Sequence, residues 1–219
     1  MAAPTETHWC SGPYARALRA GRGPLFLRHP DGLLIPLEVE RWCAAADVAD
    51  HTVLRHCVGA VLDIGCGPGR ITTALTEMGN PVLGIDTSPE AVVRTRSTGG
   101  TALRRSVFEP LPAEGRWGSA LLLDGNIGIG GDPAALLERV RQLLVEQGLL
   151  MVETSREEVE ERLRVRVDDG EGRQGPTFPW ARVGPSALRR CAGTRRWRVR
   201  AEWAVRGRRF TALEARGRG

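Results

Sequence analysis

Two carboxylates and three glycines are the residues of this chain whose spacing suggests chemistry. Asp63 is followed by Gly65, Gly67 and Gly69 at every second position, in the stretch VLDIGCGPGR from Val61 to Arg70. Asp86 lies 17 residues beyond Gly69, at the end of PVLGID. An apolar run that ends in an acid and then sheds its side chains can bring bare backbone against a ligand, because glycine leaves no Cβ in the way. Where such a turn opens a helix, the first free N–H groups face the ligand and favour an acidic part of it. Asp63 suits a cationic or hydroxylated group. Asp86 stands near the offset at which an acid grips ribose hydroxyls in nucleotide-binding strand–helix–strand units. The spacing also discriminates. Dinucleotide sites use GxGxxG, whereas here the third glycine comes one position early, with Pro68 before it and Arg70 after it.

Composition removes other chemistries. All 31 basic residues are arginine. A Schiff-base lysine and the lysine of a phosphate-binding P-loop are therefore both excluded. His51 and His56 are five apart rather than the i, i+4 of a helical metal pair, so no metal is expected. The five cysteines, 10, 43, 57, 66 and 191, are odd in number and lack a CxxC spacing. The N-terminus has no basic region leading into an apolar one, and no run approaches the ~18 apolar residues of a membrane span. Free thiols and a cytoplasmic location are the expectation, with Cys66 a small filler. The net charge of +5 is uneven: residues 184–219 hold 11 Arg against 2 Glu. A basic end can meet nucleic acid, but here the arginines alternate with apolar residues, as on an exposed strand that resists edge pairing.

The elements that must position these residues follow from periodicity. With 219 residues and 42% apolar content the chain can bury a sizeable core. PYARALRAG reads as a short helix ending at Gly21, and PLFLRHPDGLLIPLEV as two extended runs around an HPDG turn. EVERWCAAADVADHTVLRHC reads as helical with a break near Asp47–Asp50. From Gly59 strands and helices alternate. AVLDIG, PVLGID, TALRRSVF, SALLLD and LLMVET are the strands. RITTALTEMG, SPEAVVRTR and DPAALLERVRQLLVEQG are the helices, the last with Leu136, Leu137, Val140, Leu143 and Leu144 as its core stripe. Ser88 and Asp132 are N-caps, each followed by a proline. Such alternation specifies an open, mostly parallel, doubly wound α/β sheet, with ligands beyond the carboxyl ends of the strands. Past Thr154, ERLRVRV and TFPWARV are extended, PSALRRCAG is a helix, and WRVRAEWAV–RRFTALEA is an antiparallel hairpin turning at Gly207. In it Trp197, Val199, Ala201, Trp203 and Val205 share a face. Residues 1–58 are taken as an N-terminal cap segment of the same domain and 59–219 as its core.

On these residues the chain resembles the class I S-adenosylmethionine-dependent methyltransferases. VLDIGCGPGR looks like their first motif, GIDTSPEAV like the next, and LLLDGNIGIGGDPAALLERVRQLLVEQGLLMVE like the later strand–helix–strand. The resemblance implies a seven-stranded Rossmann-like sheet whose last strand is antiparallel, and S-adenosylmethionine as cofactor. It implies that Asp63, Gly65, Gly67 and Gly69 line the methionine half, that Asp86 holds the ribose, and that Thr87 lies beside the adenosine. An acid to the adenine amine often ends the third strand; here Ser106, Val107 and Phe108 are the candidates instead. Asp124 and Asn126 follow the fourth strand and would face the transferred methyl. The N-terminal segment commonly caps the site in this family, which makes His29 in the HPDG turn either a candidate general base or a solvated turn residue, and Asp124 either a functional carboxylate or a group that positions through a hydrogen bond. Trp9, Trp42 and Trp180 either fill the core or floor an acceptor pocket, and Tyr14 either packs or touches cofactor. The expected activity is in-line methyl transfer to a small-molecule acceptor. RNA or protein methylation is the rival, though DGNI replaces the NPPY-like tetrad of many amino-N methyltransferases; a non-catalytic cofactor-binding scaffold is the other. No membrane partner is expected, and the sequence leaves the oligomeric state open.

Overall fold

The computed structural model describes residues 12–194 and 196–217. Its elements, in chain order, are α1 (Pro13–Ala20), β1 (Phe26–Arg28), β2 (Leu34–Pro36), α2 (Val39–Cys43), α3 (Val48–Leu54), β3 (Val61–Ile64), α4 (Arg70–Glu77), β4 (Val82–Asp86), α5 (Pro89–Ser97) and β5 (Ala102–Arg104). There follow β6 (Trp117–Leu122), a 3-10 turn (Asn126–Gly128), α6 (Pro133–Leu143), β7 (Leu144–Thr154), β8 (Glu160–Asp168), β9 (Phe178–Val183), α7 (Pro185–Gly193), β10 (Trp197–Val205) and β11 (Arg208–Ala215).

Local signals account for most boundaries. Ser88 caps α5 by accepting from the N–H of Ala91 at 3.3 Å. Asp132 caps α6 by accepting from Ala134 and Ala135. The break between α2 and α3 is a reciprocal capping box: Asp47 and Asp50 each accept the other's backbone N–H at 2.9 Å.

Seven strands form one sheet in the order β10-β11-β7-β6-β3-β4-β5. Neighbours from β7 to β5 are parallel, and β11 runs antiparallel to both β7 and β10. Apolar side chains cover both faces. Leu62, Ala120, Leu122, Leu150 and Leu213 pack under α6 and α7, whose Leu136, Val140 and Leu188 join the same core. Val61, Leu121, Met151 and Phe210 pack under α3 and α4, with Val53, Ile71 and Leu75. This is the doubly wound α/β fold that strand–helix alternation specifies.

A second, antiparallel sheet has the order β2-β1-β8-β9. Leu27 pairs with Val167 across 140 residues of sequence, and Leu163 with Trp180. The four extended runs read from the sequence are all present, but their union is new: the covering sheet draws half its strands from the N-terminal segment and half from an excursion after β7. Its core holds Tyr14, Leu18, Leu25, Leu27, Val165, Val167 and Phe178, with Trp42 and Trp180 packed on it.

Three local expectations are corrected. The helix expected to continue toward Gly148 stops at Leu143, and Leu144 starts β7 opposite Trp117 instead of completing a helical stripe. The third strand is short: Arg105–Phe108 leave β5 as irregular backbone. In β10 an irregularity between Val199 and Ala201 interrupts the alternation and leaves Val199 39% exposed. Among the described residues no helix is long and apolar enough to cross a membrane.

Candidate functional site

Strand order reverses between β3 and β6, and a cavity of about 680 Å³ opens beyond the carboxyl ends of β3, β4, β5 and β6. The chain turns there without side chains. Gly67 has a left-handed φ of +54°, and a Cβ on it would meet nothing closer than Tyr14 Oη at 3.8 Å, so its backbone faces open space. The loop is held from behind. Thr95 Oγ1 donates to the carbonyl of Gly67 at 2.9 Å, and Asn126 Nδ2 donates to the carbonyls of Ile64 and Gly65 at 2.9 and 3.0 Å. From the front, Gly67 N–H donates to Asp86 Oδ2 at 2.9 Å, and Ser88 N–H donates to Oδ1 at 2.8 Å.

Asp63, buried, and Asp86, half-buried, are two acids of the wall. Burial pushes Asp63 up to about 7, against a hydrogen bond from Thr72 Oγ1 at 2.8 Å and the charge of Arg70. Burial pushes Asp86 up to about 6, opposed by the backbone donors of Ser88, Gly67 and Thr87. Both carboxylates are short of positive partners, which is the state that a cationic or hydroxyl-bearing ligand relieves.

Of the residues marked in the sequence, Asp63, Gly65, Gly67, Asp86, Thr87, Ser106, Val107, Phe108, Asp124 and Asn126 all line this cavity. Ser106–Phe108 stand on the irregular segment after β5, where Glu109 accepts from Ser106 N–H at 2.7 Å. Two marked residues are not brought to it. Gly69 packs against α5: a Cβ there would lie 2.8 Å from Thr95 Cα, so its role is to let α4 pass α5 closely. His29 belongs to the turn between β1 and β2, with Nδ1 2.7 Å from Asp31 Oδ1, and does not line the cavity. His51 is not there either. His56 stacks on Trp203 with ring centroids 4.5 Å apart. Trp9 and Cys10 lie outside the described residues; Cys43, Cys57, Cys66 and Cys191 form no disulfide with one another. The arginines of the C-terminal hairpin and α7 largely face acids: Arg189 pairs with Glu202, Arg190 with Glu160, and Arg198 and Arg200 with Glu214.

Asp124 has partners that the sequence concealed. Its Oδ2 accepts from Arg70 Nη2 at 2.6 Å, and its Oδ1 lies 2.8 Å from Arg41 Nη1 and 3.5 Å from Arg208 Nη2. Arg70 also pairs with Asp50, which is fully buried, and Arg208 bonds Asp50 Oδ1 at 2.7 Å and both oxygens of Glu153 at 2.8 Å. Burial alone would raise Asp50, but the two guanidiniums outweigh it and hold the carboxyl below its usual range. Glu153 Oε2 further accepts the N–H of Asp124 at 2.8 Å, where the backbone is left-handed with φ +56°. With three guanidiniums on its two oxygens, Asp124 is placed to orient its neighbours. The only sequence hint of this network was an arginine placed at the first turn of a helix next to glycine.

A further wall was also invisible locally. Tyr14 and Leu37 from the N-terminal segment, Phe178, Pro179 and Trp180 from β9, and Ile129 line the cavity beside Trp42. Trp42 and Trp180 therefore serve both readings, packing on the small sheet's core and facing the cavity.

Residues 61–148 match the family model of a methyltransferase domain. Over those residues the chain carries a methyltransferase domain, set in the doubly wound sheet described above. Solved structures agree in fold. A methyltransferase of Bacteroides fragilis in complex with S-adenosylhomocysteine superposes with a TM-score of 0.79 at 20% identity, covering 99% of this chain and 98% of its own. The 1,6-didemethyltoxoflavin-N1-methyltransferase of Burkholderia thailandensis gives 0.59 at 17% identity over 78% of each chain. The CcbJ methyltransferase of Streptomyces caelestis gives 0.59 at 14% identity, over 77% of this chain and 88% of its own. A search of curated proteins finds no match. All four strands of the small sheet lie outside the matched family segment, and the Bacteroides likeness spans them.

The residues present fit such a cofactor. The bare backbone at Gly67 is a cradle that a Cβ would narrow, one buried and one half-buried carboxylate can meet cationic and hydroxyl groups, and the exposed ring of Phe108 offers a face at the far end.

Proposed function

We propose that the methyltransferase acts on a small-molecule acceptor. Asp63 and the Gly65–Gly67 backbone take the methionine half of S-adenosylmethionine, Asp86 and Thr87 the ribose, and Ser106, Val107 and Phe108 the adenine. When bound, S-adenosylmethionine supplies an electrophilic methyl on a sulfonium. The chain's own contribution is to hold that methyl in line with the acceptor and to exclude water, which can supply much of the acceleration of such a displacement. Asp124 and Asn126 border the transfer point, with Asp124 fixed by its three arginines.

The observation that carries this reading is one continuous cavity, with glycine loop and acids at one side and an aromatic wall at the other. Its volume of about 680 Å³ falls within the ~300–1,000 Å³ of small-molecule pockets. The covering sheet leaves this wall facing inward, as suits an acceptor enclosed rather than a polymer laid across a surface. In the Burkholderia neighbour a small heterocycle and S-adenosylhomocysteine are bound together. Calorimetric titration with S-adenosylmethionine and S-adenosylhomocysteine tests the cofactor side, and methyl transfer from labelled cofactor to a small-molecule panel, against bulk RNA and protein, tests the acceptor side. Label appearing in RNA or protein instead overturns the reading.

A further inference from the structure

We propose that the acceptor attacks through an uncharged nitrogen, a ring nitrogen of an aromatic heterocycle or a tertiary amine in an apolar frame, and leaves as an N-methyl cation. This rests on the small-molecule reading above and narrows it to one nucleophile class.

Proton accounting is the first support. An oxygen acceptor or a protonated amine must give up a proton, and a base must take it. Among the described residues lining the cavity, each carboxylate is already engaged. Asp124 carries three guanidiniums; Asp63 and Asp86 hold the two ends of the donor; Glu109 sits after β5 on the N–H of Ser106. Burial pushes the Tyr14 hydroxyl well above its ordinary value, so it stays protonated and offers no phenolate to take up a proton. A neutral nitrogen needs no base. Its lone pair forms the N–C bond while the C–S bond breaks, and that electron pair leaves on sulfur as a neutral thioether. The positive charge passes from sulfur to nitrogen and no proton moves.

The field around the cavity favours keeping that charge. The network behind Asp124 sets five carboxylates, Glu38, Asp47, Asp50, Asp124 and Glu153, against three guanidiniums, Arg41, Arg70 and Arg208. Methylating a phenolate would discharge the sulfonium and leave this negative surplus unanswered; methylating a neutral nitrogen does not. The walls agree. Tyr14 and Trp42 meet edge to face at 6.4 Å, Phe178 and Trp180 likewise at 6.2 Å, and both pairs line the cavity. Aromatic faces stabilise a desolvated cation.

The test uses the protein saturated with S-adenosylhomocysteine, titrated with N-methylisoquinolinium and with its neutral isostere 2-methylnaphthalene. The cation is expected to bind at least tenfold more tightly, and Trp42→Leu and Trp180→Leu each to reduce that preference below threefold, judged against the S-adenosylhomocysteine affinity of the same variant. In the transfer arm, labelled methyl is expected on isoquinoline and not on 2-naphthol. A cation bound no better than its isostere overturns the inference on its own, as does preferred methylation of 2-naphthol. Failure to bind S-adenosylhomocysteine at all would instead sink the underlying reading.

Discussion

Asp63→Asn makes the sharpest test, because it separates folding from ligand binding. Asp63 is 3% exposed, and burial moves it from an ordinary 3.8 to about 7. A carboxyl whose folded value is raised lends stability below its unfolded value and loses it as pH climbs to the folded one. The ligand-free protein therefore loses stability through this group between about pH 4 and pH 7, and the loss is complete above that. At 1.36 kcal/mol per tenfold, the ceiling is about 4 kcal/mol. Water in the cavity screens part of it, and half the ceiling corresponds to about 4–8 °C in melting temperature for a chain of this size. Asparagine does not titrate and can still accept from Thr72. Thermal and urea unfolding of both proteins without cofactor should show Asp63→Asn more stable at pH 8, with the gap closing toward pH 4. All other titrations are common to the pair and cancel. The same variant should bind S-adenosylmethionine more weakly. If the two stability curves run parallel from pH 4 to pH 8, or the variant is less stable at pH 8, the claim that Asp63 is held at a folding cost for a ligand is wrong.

Asp86→Ala should weaken S-adenosylmethionine binding by about 10–100-fold in calorimetry, the loss of a charge-assisted hydrogen bond of ~1.5–3 kcal/mol; unchanged affinity would remove its assigned role. S-adenosylmethionine affinity should rise from pH 5.5 to pH 8, since a cation prefers the ionised forms of groups that titrate near 6 and 7, with each group adding up to about tenfold per pH unit at the acid end, and Asp63→Asn should remove the part that extends to about pH 7. Asp50→Ala leaves Arg70 and Arg208 short of a buried partner and should cost about 3–5 kcal/mol in urea unfolding. Gly69→Ala combines a left-handed backbone of φ +97° with a collision at Thr95, so it should lower the melting temperature more than Gly67→Ala does, while Gly67→Ala should be the one that weakens cofactor binding.

The parts legible in the sequence are those fixed by short-range physics. Glycine at 65 and 67, a strand-ending acid at 63 and 86, and Ser–Pro or Asp–Pro helix starts each act within a few residues, and all lie where periodicity put them. What escaped depended on distance in the chain. Nothing near Leu27 announces Val167, because antiparallel pairing needs only alternation and any extended run supplies that. Leu144 fits a helical stripe as well as a strand start, and tertiary pairing with Trp117 decided it. Gly69 was legible as a close passage into the helix, which its fit against Thr95 matches, whereas the resemblance also set it on the cofactor. His29 looked available because the sequence does not say where a turn points.

Asp124 carries the deeper lesson. A carboxylate after the fourth strand reads as a base when its neighbours are unknown, yet Arg41, Arg70 and Arg208 converge on it from three distant segments. Arg70 opens the helix behind the glycine loop, Arg208 begins the antiparallel strand β11, and Arg41 comes from α2 beside the small sheet. One side chain thus ties the donor loop, the main sheet and the covering segment together at the point where methyl would pass. A group held that tightly can set the separation between donor and acceptor, but taking up a proton would release its cations into a buried site. Chemistry that requires no proton transfer is what such an anchor permits.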